Sequence, residues 1–294
     1  MVRFQRGVAA VAAALLIGTA LPAFAQAPPT PEAPVDPLTI QGTPNDEALR
    51  LLGDALGRTV EATQTDPAIP EILDAITRNI DATRRIRELA ETEPALTDEQ
   101  MQQIGAEIAA IAQSFQEIAN YAPDVFARRY AEIGNLDAIG TAVGFRIGDT
   151  AARLEELRGD NVRIQDGLVA GNQTAAQIEM DRLTQQANNA EIQALEAAMA
   201  AWDVFADRHA EIVGRMGDQT EDLNVFFHAL RENARVYAAA AQTLSLANSL
   251  KTALADLERI ETLDLMRSQL VESWGDLMRI LGEVNDGLVL QPGM

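Results

Sequence analysis

Residues 174–202 read TAAQIEMDRLTQQANNAEIQALEAAMAAW. Ala176, Met180, Leu183, Ala187, Ala190, Ala194, Ala197 and Ala201 follow one another at strictly alternating spacings of four and three. A second stripe, Ile192, Leu195, Met199 and Trp202, lies beside this alanine seam. Apolar residues at 3.5-residue spacing form a helical stripe, and a sustained run of them predicts knobs-into-holes packing against other helices. A helix apolar on two faces is expected at the centre of a bundle.

The same spacing recurs downstream. Leu223, Phe227, Leu230, Ala234, Tyr237, Ala241 and Leu244 keep it, as do Leu263, Met266, Leu270, Ser273, Leu277, Ile280 and Val284. Upstream, Leu49, Leu52, Leu56 and Val60 share one helical face, and Ile72, Ile76, Ile80 and Ile86 share another. Strand alternation is almost absent. The expected fold is all-α, an elongated antiparallel helical bundle with coiled-coil-like heptad packing.

Punctuation sets the expected helices. Asn45 caps a first helix to about Thr63, and Asp66–Pro70 interrupts before a second to about Glu93. Thr97 with Gln100 is a capping box for a third helix to about Tyr121, and Pro123 separates a fourth, from about Asp124 to Asp160 or somewhat beyond. Gly171-Asn172 marks a turn, and Thr174 with Gln177 is a second capping box opening a fifth helix. Gly214 and Gly217 are expected to end it near Met216, with Asp218 starting a sixth and Thr262 a last one. The bundle thus occupies 45–290, with a sub-division expected near 122 or 172.

Ahead of it lie two other segments. Arg3 and Arg6 precede an uncharged run from Gly7 to Leu21, followed by Pro22 and the small-x-small sequence Ala23-Phe24-Ala25. This is the pattern of a cleaved secretory signal, residues 1–25, and it is too short for the ~20 residues of a transmembrane span. No cysteine follows for a lipid anchor. Residues 26–44 hold Pro28, Pro29, Pro31, Pro34, Pro37 and Pro44 and are expected to be a disordered linker. The mature chain is expected in the periplasm or outside the cell, soluble and without a stable membrane span.

The formal charge is −21, and loss of Arg3 and Arg6 with the signal takes it to −23. Such a chain is repelled by nucleic acid, which needs a positive patch to release counterions. Zero cysteines remove disulfides, thiolate nucleophiles, covalent haem attachment and sulfur-rich metal sites together. Basic residues are 22 Arg and the single Lys251, which fits a GC-rich bacterial gene. Aromatics at 4% argue against sugar-stacking or cation-caging sites.

Candidate chemistry is sparse. His209 has Asp207 and Glu211 at spacings that point away from it on a helix, whereas His228 and Glu232 share a face. A metal site would need further ligands from another helix, and the paired Glu-x-x-His of di-iron bundles is missing. There is no Gly-x-Ser-x-Gly elbow, no phosphate-cradling glycine loop and no His-Glu-x-x-His. No cofactor and no enzymatic activity are expected.

Two features remain. Gly140, Gly144 and Gly148 recur every four residues, a smooth groove where a helix could dock closely. Gln185, Gln186, Asn188 and Asn189 form a polar stretch that either fixes register or lines a small site between helices. The expected role is contact with an envelope protein or self-association. The alternatives are a sensory or solute-capturing bundle and a membrane-active helical protein.

Overall fold

The computed structural model describes residues 40, 43–92, 96–247, 253–255 and 257–289. The signal expected at 1–25, and the expected linker apart from residues 40, 43 and 44, lie outside the described residues. The described residues form helices α1 Asn45–Thr65, α2 Ala68–Thr92, α3 Asp98–Asn120, α4 Ala122–Ala170, α5 Ala175–Ala247 and α6 Ile260–Val289, with a 3-10 turn at Leu257–Arg259 before the last. There is no strand among them. The fold is an all-α bundle.

Both predicted capping boxes form. Thr97 Oγ1 accepts from Gln100 N at 3.2 Å while Gln100 Oε1 accepts from Thr97 N at 2.7 Å. At the start of α5, Thr174 Oγ1 accepts from Gln177 N at 3.3 Å and Gln177 Oε1 accepts from Thr174 N at 2.8 Å. Gly171 closes α4 with φ +72°, a left-handed conformation that a side chain would strain.

Two boundaries differ from expectation. Pro123 does not separate helices by a loop: only Tyr121 stands between α3 and α4, and the proline sits in the first turn of α4, where its missing N–H removes no bond. The fourth helix, expected to end at Asp160 or somewhat beyond, runs on to Ala170. The expected break at Gly214–Gly217 is absent, because α5 is one helix of 73 residues. Two glycines cost a helix about 2 kcal/mol relative to alanine. Ile212, Met216 and Leu223, all buried, flank them. Each fully buried side chain of that size contributes roughly 1.5–3 kcal/mol, so packing outweighs the local penalty.

The helices divide into two compact units. Among described residues the first takes 65–129 and 217–278. Its core joins Ile69, Ile72, Ile76 and Ile80 of α2, Ile104, Ile108, Ile111 and Phe115 of α3, and Leu223, Phe227, Leu230 and Tyr237 of α5 to Leu263 and Leu270 of α6. Phe115 meets Tyr237 edge-on at 5.2 Å between ring centroids, and the Tyr237 hydroxyl donates to Thr83 Oγ1 at 3.0 Å. A buried bond from Asn79 Nδ2 to Ser114 Oγ, 2.8 Å, ties α2 to α3.

The second unit takes described residues up to 64, then 130–216 and those from 279. It buries Leu52, Leu56 and Val60 of α1, Leu136, Ile139 and Val143 of α4, Trp202, Phe205 and Ile212 of α5, and Ile280 and Leu281 of α6. Thr59 and Thr63 are buried in α1 without penalty, since each hydroxyl donates to the carbonyl one turn back, Ala55 O and Thr59 O.

The predicted stripes fare differently. In the later part of α5 and in α6 they face inward: Leu223, Phe227, Leu230, Ala234, Tyr237, Leu244, Leu263, Leu270, Leu277 and Ile280 are buried, and Ala241, Met266 and Ser273 half-buried. Val284 lies outside the described side chains. The alanine seam does the opposite. Every residue of it from Ala176 to Ala201 is exposed, Met180 at 65% and Leu183 at 53%. The neighbouring stripe, Ile192, Leu195, Met199 and Trp202, turns inward instead. The larger side chains have more apolar area to remove from water, and that decides which face of α5 is covered.

Candidate interaction sites

From Ala151 through the turn to Ala201, the second unit consists of α4 running out and α5 running back. Only Leu154, Leu157 and Asn188 are buried along this arm. Asn161, Ile164 and Leu168 of α4 and Ile178, Gln185, Ile192, Leu195 and Met199 of α5 are half-buried. This is the burial expected when two helices cover each other along a single side. Across the pair, Arg153 Nε donates to Glu191 Oε1 at 2.8 Å and Arg158 Nη2 to Glu196 Oε1 at 2.9 Å. The Arg153 bond holds the Glu191 carboxyl below its ordinary range. Exposed pairs of this kind fix geometry more than they add stability.

The polar stretch of α5 splits. Asn188 is buried and its Nδ2 donates to Asn161 Oδ1 at 3.0 Å, while Asn161 Nδ2 donates to Asn189 Oδ1 at 2.9 Å. One asparagine of α4 thus bridges two of α5, and sliding either helix by one turn would break both bonds. Gln185 is half-buried and Gln186 exposed, and neither joins this network. Asn161 was missed in the sequence because its partners lie across the turn, and only the antiparallel pairing of the two helices brings them together.

The glycine stripe also splits. A Cβ on Gly140 would lie 2.6 Å from Cε1 of His209, whose Nε2 is 2.7 Å from Leu136 O. Gly140 is therefore the notch that admits the His209 ring, a side chain rather than a whole helix. Gly144 and Gly148 are exposed, with nothing within 4 Å of where a Cβ would stand. The other histidine, His228, is exposed.

A cluster without any sequence signal sits at the start of α1. Arg146 of α4 is buried, and its Nη2 donates to Asn45 Oδ1 at 2.7 Å and its Nη1 to Ile40 O at 3.4 Å. The fully buried indole of Trp202 donates to the same Asn45 oxygen at 3.3 Å, and Thr150 Oγ1 lies 3.5 Å from it. No carboxylate bonds Arg146 among the described residues, so a neutral amide and a carbonyl take the place of a counter-charge.

The first unit carries an open groove of about 1270 Å3 between α3 and α5. Alanines 106, 109, 112, 234, 238 and 241 and Gly105 line it, together with Gln102, Gln113, Gln116 and Gln242 and the charged Asp98 and Arg235. Elsewhere in that unit, burial alone would push the Asp264 carboxyl up, but bonds from Arg84 and Arg267 outweigh it and hold it below its ordinary value.

Among the described residues no group of three or more His, Asp or Glu side chains is placed to hold a metal ion, and no helix is long and apolar enough to cross a membrane. Comparison of the chain with protein-family models, with curated proteins and with solved structures gives no match in any of the three.

Proposed function

We propose that this chain is an exported, soluble, non-catalytic helical bundle that acts by protein–protein contact in the bacterial cell envelope. The observation that carries the reading is the two-helix arm and its exposed, uncharged apolar face on α5 from Ala176 to Ala201. In a chain of formal charge −21, a face that long without one charged residue is where another protein can approach without repulsion. The export part rests on the basic, apolar and small-x-small sequence of residues 1–25.

The test is crosslinking in the intact envelope followed by capture of the tagged chain, beside the variant Ala190→Glu on the exposed face. A crosslinked product, another protein or the chain itself, that disappears in the variant supports the reading. A chain that is monomeric and crosslinks to nothing sinks it.

The groove between α3 and α5 favours one second reading, a ligand-binding bundle. Its glutamines, with Asp98 and Arg235, would hydrogen-bond a polar molecule against the alanine lining. Thermal stabilisation by a metabolite, lost on Ala109→Trp, would mark it.

A further inference from the structure

The exposed face of α5 has a symmetry that its burial pattern alone does not reveal. Turned end for end about an axis between Asn188 and Asn189, the face maps onto itself. Ala176 then stands opposite Ala201, Met180 opposite Ala197, Leu183 opposite Ala194, and Ala187 opposite Ala190. The two large side chains, both more than half exposed, each meet an alanine. Large-against-small alternation is what lets two helices interdigitate closely. A parallel pairing in register would set Met180 on Met180 and Leu183 on Leu183, leaving gaps beside the alanines.

The flanking charges agree. The positions bordering the face on one side are Gln177, Thr184, Glu191 and Ala198, and on the other Glu179, Gln186, Gln193 and Ala200. In the antiparallel arrangement Glu191 borders Thr184 of the second copy, and Glu179 borders Ala200 of the second copy. No acid meets an acid, although the chain carries 44 acidic residues against 23 basic. A second copy therefore fits this face in both side-chain size and charge.

We propose that α5 of one copy packs antiparallel on α5 of a second copy through the Ala176–Ala201 face, giving a two-fold symmetric dimer. This rests on the contact reading above and names the partner. Such an interface is isologous, so it closes at two chains. The face is roughly 40 Å long at about 1.5 Å per residue, and a helix–helix contact is about 10 Å wide. That footprint, about 400 Å2 per copy and so about 800 Å2 in total, falls below the roughly 1,200 Å2 at which stable specific interfaces begin, in the range of weak and transient contacts. The dimer is therefore weak and dissociates on dilution.

Sedimentation of the mature chain over a range of concentrations reads the mass, which rises toward twice the monomer value. Ala187→Glu sets two like charges beside the axis and weakens association at least tenfold, while Ala187→Ser leaves it intact; circular dichroism verifies that both remain helical. Orientation is read by disulfide trapping, since the chain has no thiol of its own. Met180→Cys and Ala197→Cys proteins crosslink when mixed, and neither crosslinks with itself. A chain monomeric at every concentration overturns the dimer, and self-crosslinking of either cysteine variant overturns its antiparallel orientation. If the face instead captures a different protein, and Ala187→Glu abolishes that capture, self-pairing fails while the contact reading stands.

Discussion

Arg146 Nη2 donates to Asn45 Oδ1 at 2.7 Å, and this bond joins the first residue of α1 to the middle of α4. The guanidinium is buried, and among the described residues its other acceptor is Ile40 O at 3.4 Å. Asn45→Ala therefore strips a desolvated cation of its best partner and leaves the Trp202 indole N–H without its acceptor. Hydrogen bonds to charged groups contribute about 1.5–3 kcal/mol, so a loss of about 2–3 kcal/mol is expected in urea unfolding. Asn45→Asp supplies a real counter-charge and is expected to match or exceed wild type at pH 7. Arg146 would hold that carboxyl below its unfolded value of about 3.9, so its contribution is present above that value and is lost as pH falls through the lower folded one. Equal stability of Asn45→Ala and wild type would refute the account.

This cluster also marks the limit of what was legible in the sequence. Asn45 was readable as a helix start because such starts are written locally, but it is the first helical residue rather than a cap, and its Oδ1 serves Arg146 and Trp202 instead. Its bond to Arg146, 101 positions away, belongs to no pattern of spacing. The capping boxes at Thr97 and Thr174 and the stripes from Leu223 and Leu263 were legible for the same reason, since each is written within a few turns of one helix. The orientation of α5 between 176 and 202 was not. Two stripes there share the heptad spacing, and Leu154, Leu157, Asn161, Ile164 and Leu168 on α4 select the inward one. Local preference also misled at Gly214 and Gly217, where tertiary burial on both sides kept the helix continuous.

The three glycines of α4 are expected to respond differently to alanine. Gly144→Ala and Gly148→Ala meet nothing within 4 Å, so each gains helix propensity, about 0.5–1 kcal/mol. Gly140→Ala places a methyl group 2.6 Å from His209 Cε1, and the ring must leave Leu136 O to avoid it. Losing that bond costs about 1 kcal/mol and disturbs the packing around it, so the propensity gain is cancelled or reversed. In a His209→Ala background Gly140→Ala becomes stabilising like the others. Thermal melts of the four variants and the double variant decide it; Gly140→Ala as stabilising as Gly144→Ala in the parent chain would refute the notch.

Gln219 is fully buried in α5, and among the described residues neither its Nε2 nor its Oε1 has a hydrogen-bond partner. An unsatisfied buried amide costs about 1–3 kcal/mol, and an apolar side chain of the same shape avoids that cost. Gln219→Met is expected to raise stability by about 1–2 kcal/mol, seen as a higher urea midpoint with an unchanged slope. A lower midpoint would mean that the amide is bonded in solution and that its burial is not the liability described.

Glu107 on α3 is half-buried, and its Oε1 finds no donor among the described residues. Burial pushes its carboxyl above the ordinary value of 4.5, and Arg85 pulls only partly the other way. The folded chain therefore binds this proton more tightly than the unfolded chain does. Its contribution to stability is greatest below 4.5 and is lost as pH rises through the higher folded value. Glu107→Gln keeps the neutral form at every pH. It is expected to be more stable than wild type at pH 7, by under about 1 kcal/mol because water reaches the group. The difference shrinks as both proteins are taken below pH 4.5, where the wild-type carboxyl is protonated too. The other acids titrate alike in the two chains and cancel in the comparison, so a difference that does not change with pH, or a less stable variant at pH 7, would show that attraction to Arg85 outweighs burial at this site.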